Sequence, residues 1–252
     1  MLSNLTGLGW LLVFLIPLLF FQRGLHKEIQ SVVLLLTRRP DVSVMVFSLA
    51  FLPGVILHEV SHYVMARLTG VRTGRLSILP RPLPGRKLQL GYVETTPSDW
   101  LRDTLIGIAP LLTGVAFVAY AGIVRLGLVG LWEEIQNLNW AGWMAGLERM
   151  RAQPDFWLWF YLTVTVSSMM LPSASDRRAW LPLGVIVVGL LFLSVLLGAG
   201  PWMVQHLAPP LNRFFQAVAV VFAISLLVHA LLYLPFRLTR FLLSRITGLE
   251  VA

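Results

Sequence analysis

The chain contains no cysteine. Disulfides, thiolate metal sites and cysteine nucleophiles are excluded together. Charge is also scarce, at 13% of 252 residues, about half the ~25% of an ordinary soluble domain. Acidic residues number 12 against 20 lysines and arginines, a net charge of +8. Apolar residues fill the rest, with 57% hydrophobic side chains and a mean hydropathy of +0.76. A soluble globule of this length exposes too much surface to hide that composition. A soluble enzyme and a disordered tail are therefore excluded, and an integral membrane protein remains. The positive charge does not point to nucleic acid. Basic residues lie in short loops between apolar runs, without a dense basic stretch interleaved with aromatics. In such loops they set membrane orientation or meet anionic headgroups.

A spanning helix needs about 20 mostly apolar residues. Six runs qualify, at 5–21, 42–68, 104–124, 156–171, 180–197 and 214–234. Residues 22–40 place Ile29, Val32, Val33 and Leu36 on one helical face with basic flanks, the pattern of a helix lying in the interface. Alternating six spans from a cytoplasmic N-terminus puts both termini in the cytoplasm. That orientation leaves 12 basic residues inside and 8 outside, as the positive-inside rule favours. The acidic loop 126–155, with Glu133, Glu134, Glu148 and Asp155, then lies outside. Trp132, Trp140, Trp143, Trp157 and Trp159 read as an interfacial aromatic belt.

Between the second and third spans, 72–79 and 87–95 alternate apolar and polar residues, and Arg81-Pro82-Leu83-Pro84-Gly85 separates them as a turn. This predicts a cytoplasmic-side β-hairpin over 71–96. Thr96-Pro97-Ser98-Asp99 then predicts a helix start capped by Ser98 or Asp99. The fold class expected is an all-α polytopic membrane protein with about six transmembrane helices and one small hairpin.

The chemistry concentrates in Leu57-His58-Glu59-Val60-Ser61-His62, an H-E-x-x-H pattern inside the second span. Histidines four apart share a helix face, so both imidazoles reach one ion, and the intervening Glu59 is placed to take a proton from water. Two imidazoles and a carboxylate suit zinc, which brings the pKa of its water to about 7. Two His and a Glu at bilayer depth are costly unless paired or metal-bound. A third ligand is expected where the fourth span ends, at Pro172-Ser173-Ala174-Ser175-Asp176. Pro172 breaks the helix there, and irregular backbone at membrane depth must face protein or a cavity. The alternative for Asp176 is a solvated carboxylate paired with Arg177 or Arg178. His229, alone in the sixth span, reads as a helix–helix contact. His26 and His206 fall outside the spans, too far to be ligands.

These residues resemble the site-2 protease family of intramembrane zinc metalloproteases. The resemblance covers about 42–178 and rests on Gly54-Val55-Ile56-Leu57-His58-Glu59-Val60-Ser61-His62, Gly70-Val71 before the hairpin, Gly107-Ile108-Ala109-Pro110-Leu111-Leu112-Thr113-Gly114, and Pro172 to Asp176. It implies a catalytic core at 42–178. The first helix and interfacial segment (1–41) and two C-terminal helices (179–252) are accessory. It implies one zinc ion held by His58, His62 and Asp176, with Glu59 as general base. The implied substrate is a membrane-anchored protein, paired by strand addition to the hairpin at Leu90, Gly91 and Tyr92. Arg177 stands where the family has Gly after its Asp. Ser168 stands where the family has Asn, so a substrate or oxyanion contact is expected of it. The expected location is the cell membrane. Two other functions remain open: a catalytically silent scaffold or chaperone of the same fold, against which Glu59 argues, and a metal transporter, against which the lack of repeats argues.

Overall fold

The computed structural model describes residues 6–78, 80–83, 87–128, 130, 131, 134, 137, 140–178 and 180–249. Helix α1 runs from Thr6 to Thr37 and passes through Pro17. Its 32 residues extend about 48 Å at ~1.5 Å each. The separate interfacial helix expected at 22–40 is instead its second half. The polar residues there do not need a headgroup layer, because they find buried partners. Gln22 Nε2 donates to the Ser168 carbonyl at 2.5 Å, and Glu28, only 7% exposed, pairs with Arg240.

The chain ends in a longer helix, α9 (Ala208–Thr247, 40 residues). Gly248, with φ +67°, closes it in the left-handed conformation that glycine adopts without strain. Helices α1 and α9 lie parallel along their length. The Gly7 amide donates to Asn212 Oδ1 at 2.6 Å, Gly24 lies against the Tyr233 ring, and Glu28 meets Arg240 further along. Small residues let the two backbones approach closely. The Thr6 end of α1 and the Thr247 end of α9 lie at opposite ends of the pair, and Arg23 and Lys27 fall toward the same end as Arg237 and Arg240.

The second expected span is broken. Helices α2 (Pro40–Ala50) and α3 (Leu52–Leu68) meet at Phe51 with a 67° bend. Pro53 sits in the first turn of α3, where its missing N–H costs no helical hydrogen bond. Helix α4 (Trp100–Tyr120) continues as a π-helical turn over Ala121–Arg125. Helices α5 (Trp140–Arg151) and α6 (Phe156–Met169) follow. Then α7 (Trp180–Leu196) bends by 116° into α8 (Gly200–His206). Among the described residues, three helices are long and apolar enough to cross a membrane, or up to five if each bent pair is one span. The fourth expected span is a 14-residue helix, short of the ~20 residues a full crossing takes. None of the described side chains of α7 is buried, as suits an all-round apolar helix facing lipid.

The hairpin forms as two successive antiparallel pairs. Strand β1 (Thr73–Ser77) pairs with β4 (Tyr92–Thr95), with a register irregularity between Thr73 and Leu76. Strand β2 (Arg81–Leu83) pairs with β3 (Lys87–Gln89). Arg81–Leu83 are therefore strand rather than turn. The rest of the expected turn, Pro84 and Gly85, lies outside the described residues, as do Trp132 and Glu133 of the expected outer loop. Asp99 caps α4 as expected, accepting from the Leu101 and Arg102 amides. The Arg102 amide leads in holding its carboxyl below the usual carboxylate range.

Two apolar clusters surround the polar motif. Leu18, Val118, Val166, Met170, Val221 and Phe222 form one. Phe47, Phe51, Val164 and Val228 form the other, with Leu90 of the hairpin packed against it.

Candidate metal centre

His58 and His62 stand one turn apart on α3, and their rings lie 4.7 Å apart. Each ring is aimed by a backbone carbonyl. His58 Nδ1 is 2.6 Å from the Met169 carbonyl, and His62 Nδ1 is 2.8 Å from that of Ile106. A carbonyl only accepts, so both Nδ1 atoms carry the proton and both Nε2 atoms present a lone pair.

Both carbonyls are free for this task because their helical donors are missing. The i+4 partner of Ile106 is Pro110, which has no N–H. The i+4 partner of Met169 is Ser173, whose amide donates instead to Asp176 Oδ2 at 2.7 Å. The small-residue motif of α4 and the irregular segment after α6 thus orient the two imidazoles.

The two Nε2 atoms face each other at 3.1 Å. Asp176 closes the triangle, with Oδ1 at 3.4 Å from His62 Nε2 and Oδ2 at 3.6 Å from His58 Nε2. With one ligand atom taken from each residue, the three lie within 4.8 Å of one another, so the triad has the donor types and the proximity of a possible metal site. These three residues also form the one His/Asp/Glu group of metal-binding size found among the described residues. Arg177 Nε donates to the Ser173 carbonyl. Among the described residues, the ion-pair partners of Asp176 are the two histidines, not Arg177 or Arg178.

Three glycines let the elements converge. A Cβ on Gly54 would lie 2.1 Å from the Thr165 carbonyl oxygen, on Gly107 2.1 Å from that of Asp176, and on Gly114 2.2 Å from Met170 Cβ. Helix α3 therefore rests on α6, and the segment carrying Asp176 rests on α4. These are the glycines of the two quoted motifs, and here they act as notches.

Glu59 is 7% exposed and lies within electrostatic reach of His58, His62 and Asp176. Gly91, between β3 and β4, presses on it. A Cβ there would sit 2.7 Å from Glu59 Cγ and 2.9 Å from Oε1. Leu90 is buried in part against the Phe47–Val228 cluster, and Tyr92 pairs with Ser77 in the sheet. The hairpin thus covers the carboxylate rather than standing apart from it. We expect Gly91→Val to lower stability by about 1–3 kcal/mol, the usual cost of overpacking; thermal unfolding in detergent checks this, and an unchanged midpoint would show that the hairpin yields at the contact.

Ser168 is not part of the triad. It is 3% exposed, and its hydroxyl lies 2.8 Å from His229 Nε2. His229 is a helix–helix contact, as its solitary place in the sixth span predicts. His206 stacks on Trp202, and His26 packs edge-on against Phe47 and Phe51; neither approaches the triad as a ligand. Of the expected aromatic belt, Trp140 and Trp157 are exposed. Trp159 is instead held by Asp155 and lies under the Arg125 guanidinium. Backbone acceptors and the cover at Gly91 leave no signature in residue types. Gln22 does, as a polar residue directly after an apolar run. No family model matches the chain, and neither does any curated protein or solved structure.

Proposed function

We propose that this protein is a zinc-dependent intramembrane endopeptidase that hydrolyses peptide bonds of membrane-anchored proteins. One observation carries the reading. Two imidazoles with protonated Nδ1 atoms point their Nε2 lone pairs at each other across 3.1 Å, with a carboxylate beside both. Lone pairs at that distance repel unless a proton or a metal cation lies between them, and two imidazoles with a carboxylate are a donor set that suits zinc. The H-E-x-x-H pattern and the resemblance to site-2 proteases supply the reaction class.

In this reading His58, His62 and Asp176 hold the ion, and the Asp176 carboxylate offsets part of its charge. Bound zinc would supply Lewis acidity toward the scissile carbonyl and make water a usable nucleophile near neutral pH. Glu59 would accept the proton of an attacking water on its carboxylate and pass it to the departing amine nitrogen. Burial keeps competing water away from Glu59. Strand β4 pairs with β1, and addition of an extended segment to this small sheet is the means by which an unwound substrate would be held. The Leu90–Gly91 stretch lies over Glu59, so the hairpin must shift before a peptide bond reaches the site.

The test is zinc stoichiometry of detergent-purified protein by mass spectrometry. We expect about one zinc per chain in the wild type and none in His58→Ala or Asp176→Ala. Zinc lost only with His58→Ala would remove Asp176 from the ligand set. No zinc in the wild type after zinc is supplied would overturn the proposal. The contact of Gly91 on Glu59 also favours a second reading, a silent scaffold of the same fold with its carboxylate permanently covered. Full biological activity in a Glu59→Gln variant would select it.

A further inference from the structure

We propose that Gln22 on α1 and His229 on α9 are positioning residues for the metal centre, acting through the last turn of α6 to orient His58. The inference rests on the metal-centre reading above. It assigns a function to two helices that otherwise read as accessory.

The link is a chain of buried hydrogen bonds. Pro172 is the i+4 partner of Ser168 and has no N–H, so the Ser168 carbonyl has no helical donor. Gln22 Nε2 fills that place at 2.5 Å. His229 Nδ1 is 2.6 Å from the Ser225 carbonyl, so it carries the proton and Nε2 accepts from the Ser168 hydroxyl at 2.8 Å. Ser168 is thereby held at both its carbonyl and its hydroxyl, by two different helices. The next residue is Met169, whose carbonyl accepts from His58 Nδ1. A shift of Ser168 moves that carbonyl and turns the His58 ring.

Burial argues that these groups are more than filler. His229 and Ser225 are fully buried, and Ser168 and Gln22 are 3% and 9% exposed. Polar groups are expensive inside a membrane protein unless each finds a partner, and apolar side chains would fill the same space without that requirement. Partners that orient a metal-bound imidazole through its other nitrogen are a recognised means of tuning metal affinity. Here the residue before the orienting carbonyl is held by a further layer of bonds.

The experiment uses the purified full chain in detergent. Wild type, Gln22→Met, Ser168→Ala, His229→Leu and His229→Gln are compared by zinc affinity from chelator competition, by the visible spectrum of the cobalt-substituted protein, and by thermal unfolding of the metal-free protein. We expect zinc Kd to rise about 10- to 100-fold in Gln22→Met and His229→Leu, with an altered cobalt spectrum. His229→Gln keeps a side-chain amide for Ser168 and should restore most of the affinity. A merely structural role would lower thermal stability and leave the cobalt spectrum unchanged. If His229→Leu does not fold, Ser168→Ala, which loses a single oxygen, carries the same expectation. Wild-type affinity and spectrum in both Gln22→Met and Ser168→Ala would overturn the proposal. A wild-type protein that binds neither zinc nor cobalt would instead overturn the metal-centre reading, and this inference with it.

Discussion

Replacing Glu59 with Gln should lower cleavage by about 10²- to 10⁴-fold, the usual contribution of a positioned general base, while zinc content stays at the wild-type level. The amide has nearly the shape of the carboxylate but cannot take a proton. Glu59 is not in the ligand group of His58, His62 and Asp176, so metal binding does not depend on it. The measurement is single-turnover cleavage of a membrane-anchored substrate in vesicles, with metal analysis on the same sample. Loss of zinc together with activity would place Glu59 among the ligands. Unimpaired cleavage would remove it from the chemistry. The variant should also hold uncleaved substrate, which makes it the reagent for identifying that substrate.

The second large effect is expected from a single methyl group. Gly107→Ala places a Cβ 2.1 Å from the Asp176 carbonyl oxygen, and the obstacle is backbone rather than a flexible side-chain end. Either α4 or the segment carrying Asp176 must move. Overpacking of this kind costs about 1–3 kcal/mol, and here the displaced element carries Asp176, a ligand in the proposed metal centre. Zinc affinity should fall toward that of Asp176→Ala, although no ligand has been changed. Gly9→Ala is the control, since nothing lies within 4 Å of its added Cβ. Competition with a chelator separates the two. Equal affinity in Gly107→Ala and wild type would show that the segment after α6 yields without moving the carboxylate.

Much of the site was legible before any coordinates, because its residue types are costly in a membrane. His58, Glu59 and His62 stand out as ionisable groups within an apolar run, and their spacing places both histidines on one face. Asp176 was legible through Pro172, which has to end a helix near membrane depth. The supporting layer was harder to read. Pro110 and Pro172 are visible as helix breakers, yet their use here is to release the Ile106 and Ser168 carbonyls for side chains distant in sequence. That use depends on which helix lies beside the freed carbonyl. Ser168 took on a substrate contact by position, and its neighbour His229 instead turned its hydroxyl into the bundle.

The topology divides in the same way. Apolar run lengths identify membrane helices, but they treat each run alone. The residues from Gln22 onward are too polar for lipid, which suggests a helix end. Partners on α6 and α9 remove that cost, and α1 continues to Thr37. The direction in which α9 runs beside α1 is likewise a tertiary matter: the two helices are parallel. That pairing depends on close contacts such as Gly7 with Asn212, between residues about 200 positions apart, and no local pattern encodes it.

Composition and spacing alone therefore determined the membrane class, the hairpin, the cap on α4 and the His-Glu-His motif, because each depends on side-chain chemistry within a few residues. Only the tertiary structure decided that the two Nε2 atoms meet Asp176, that Gly91 covers Glu59, and that the first and last helices hold Ser168, the residue before the carbonyl that aims His58. Each of these is a contact between distant segments, set by where small residues allow backbones to approach and where a missing N–H leaves a carbonyl to be satisfied.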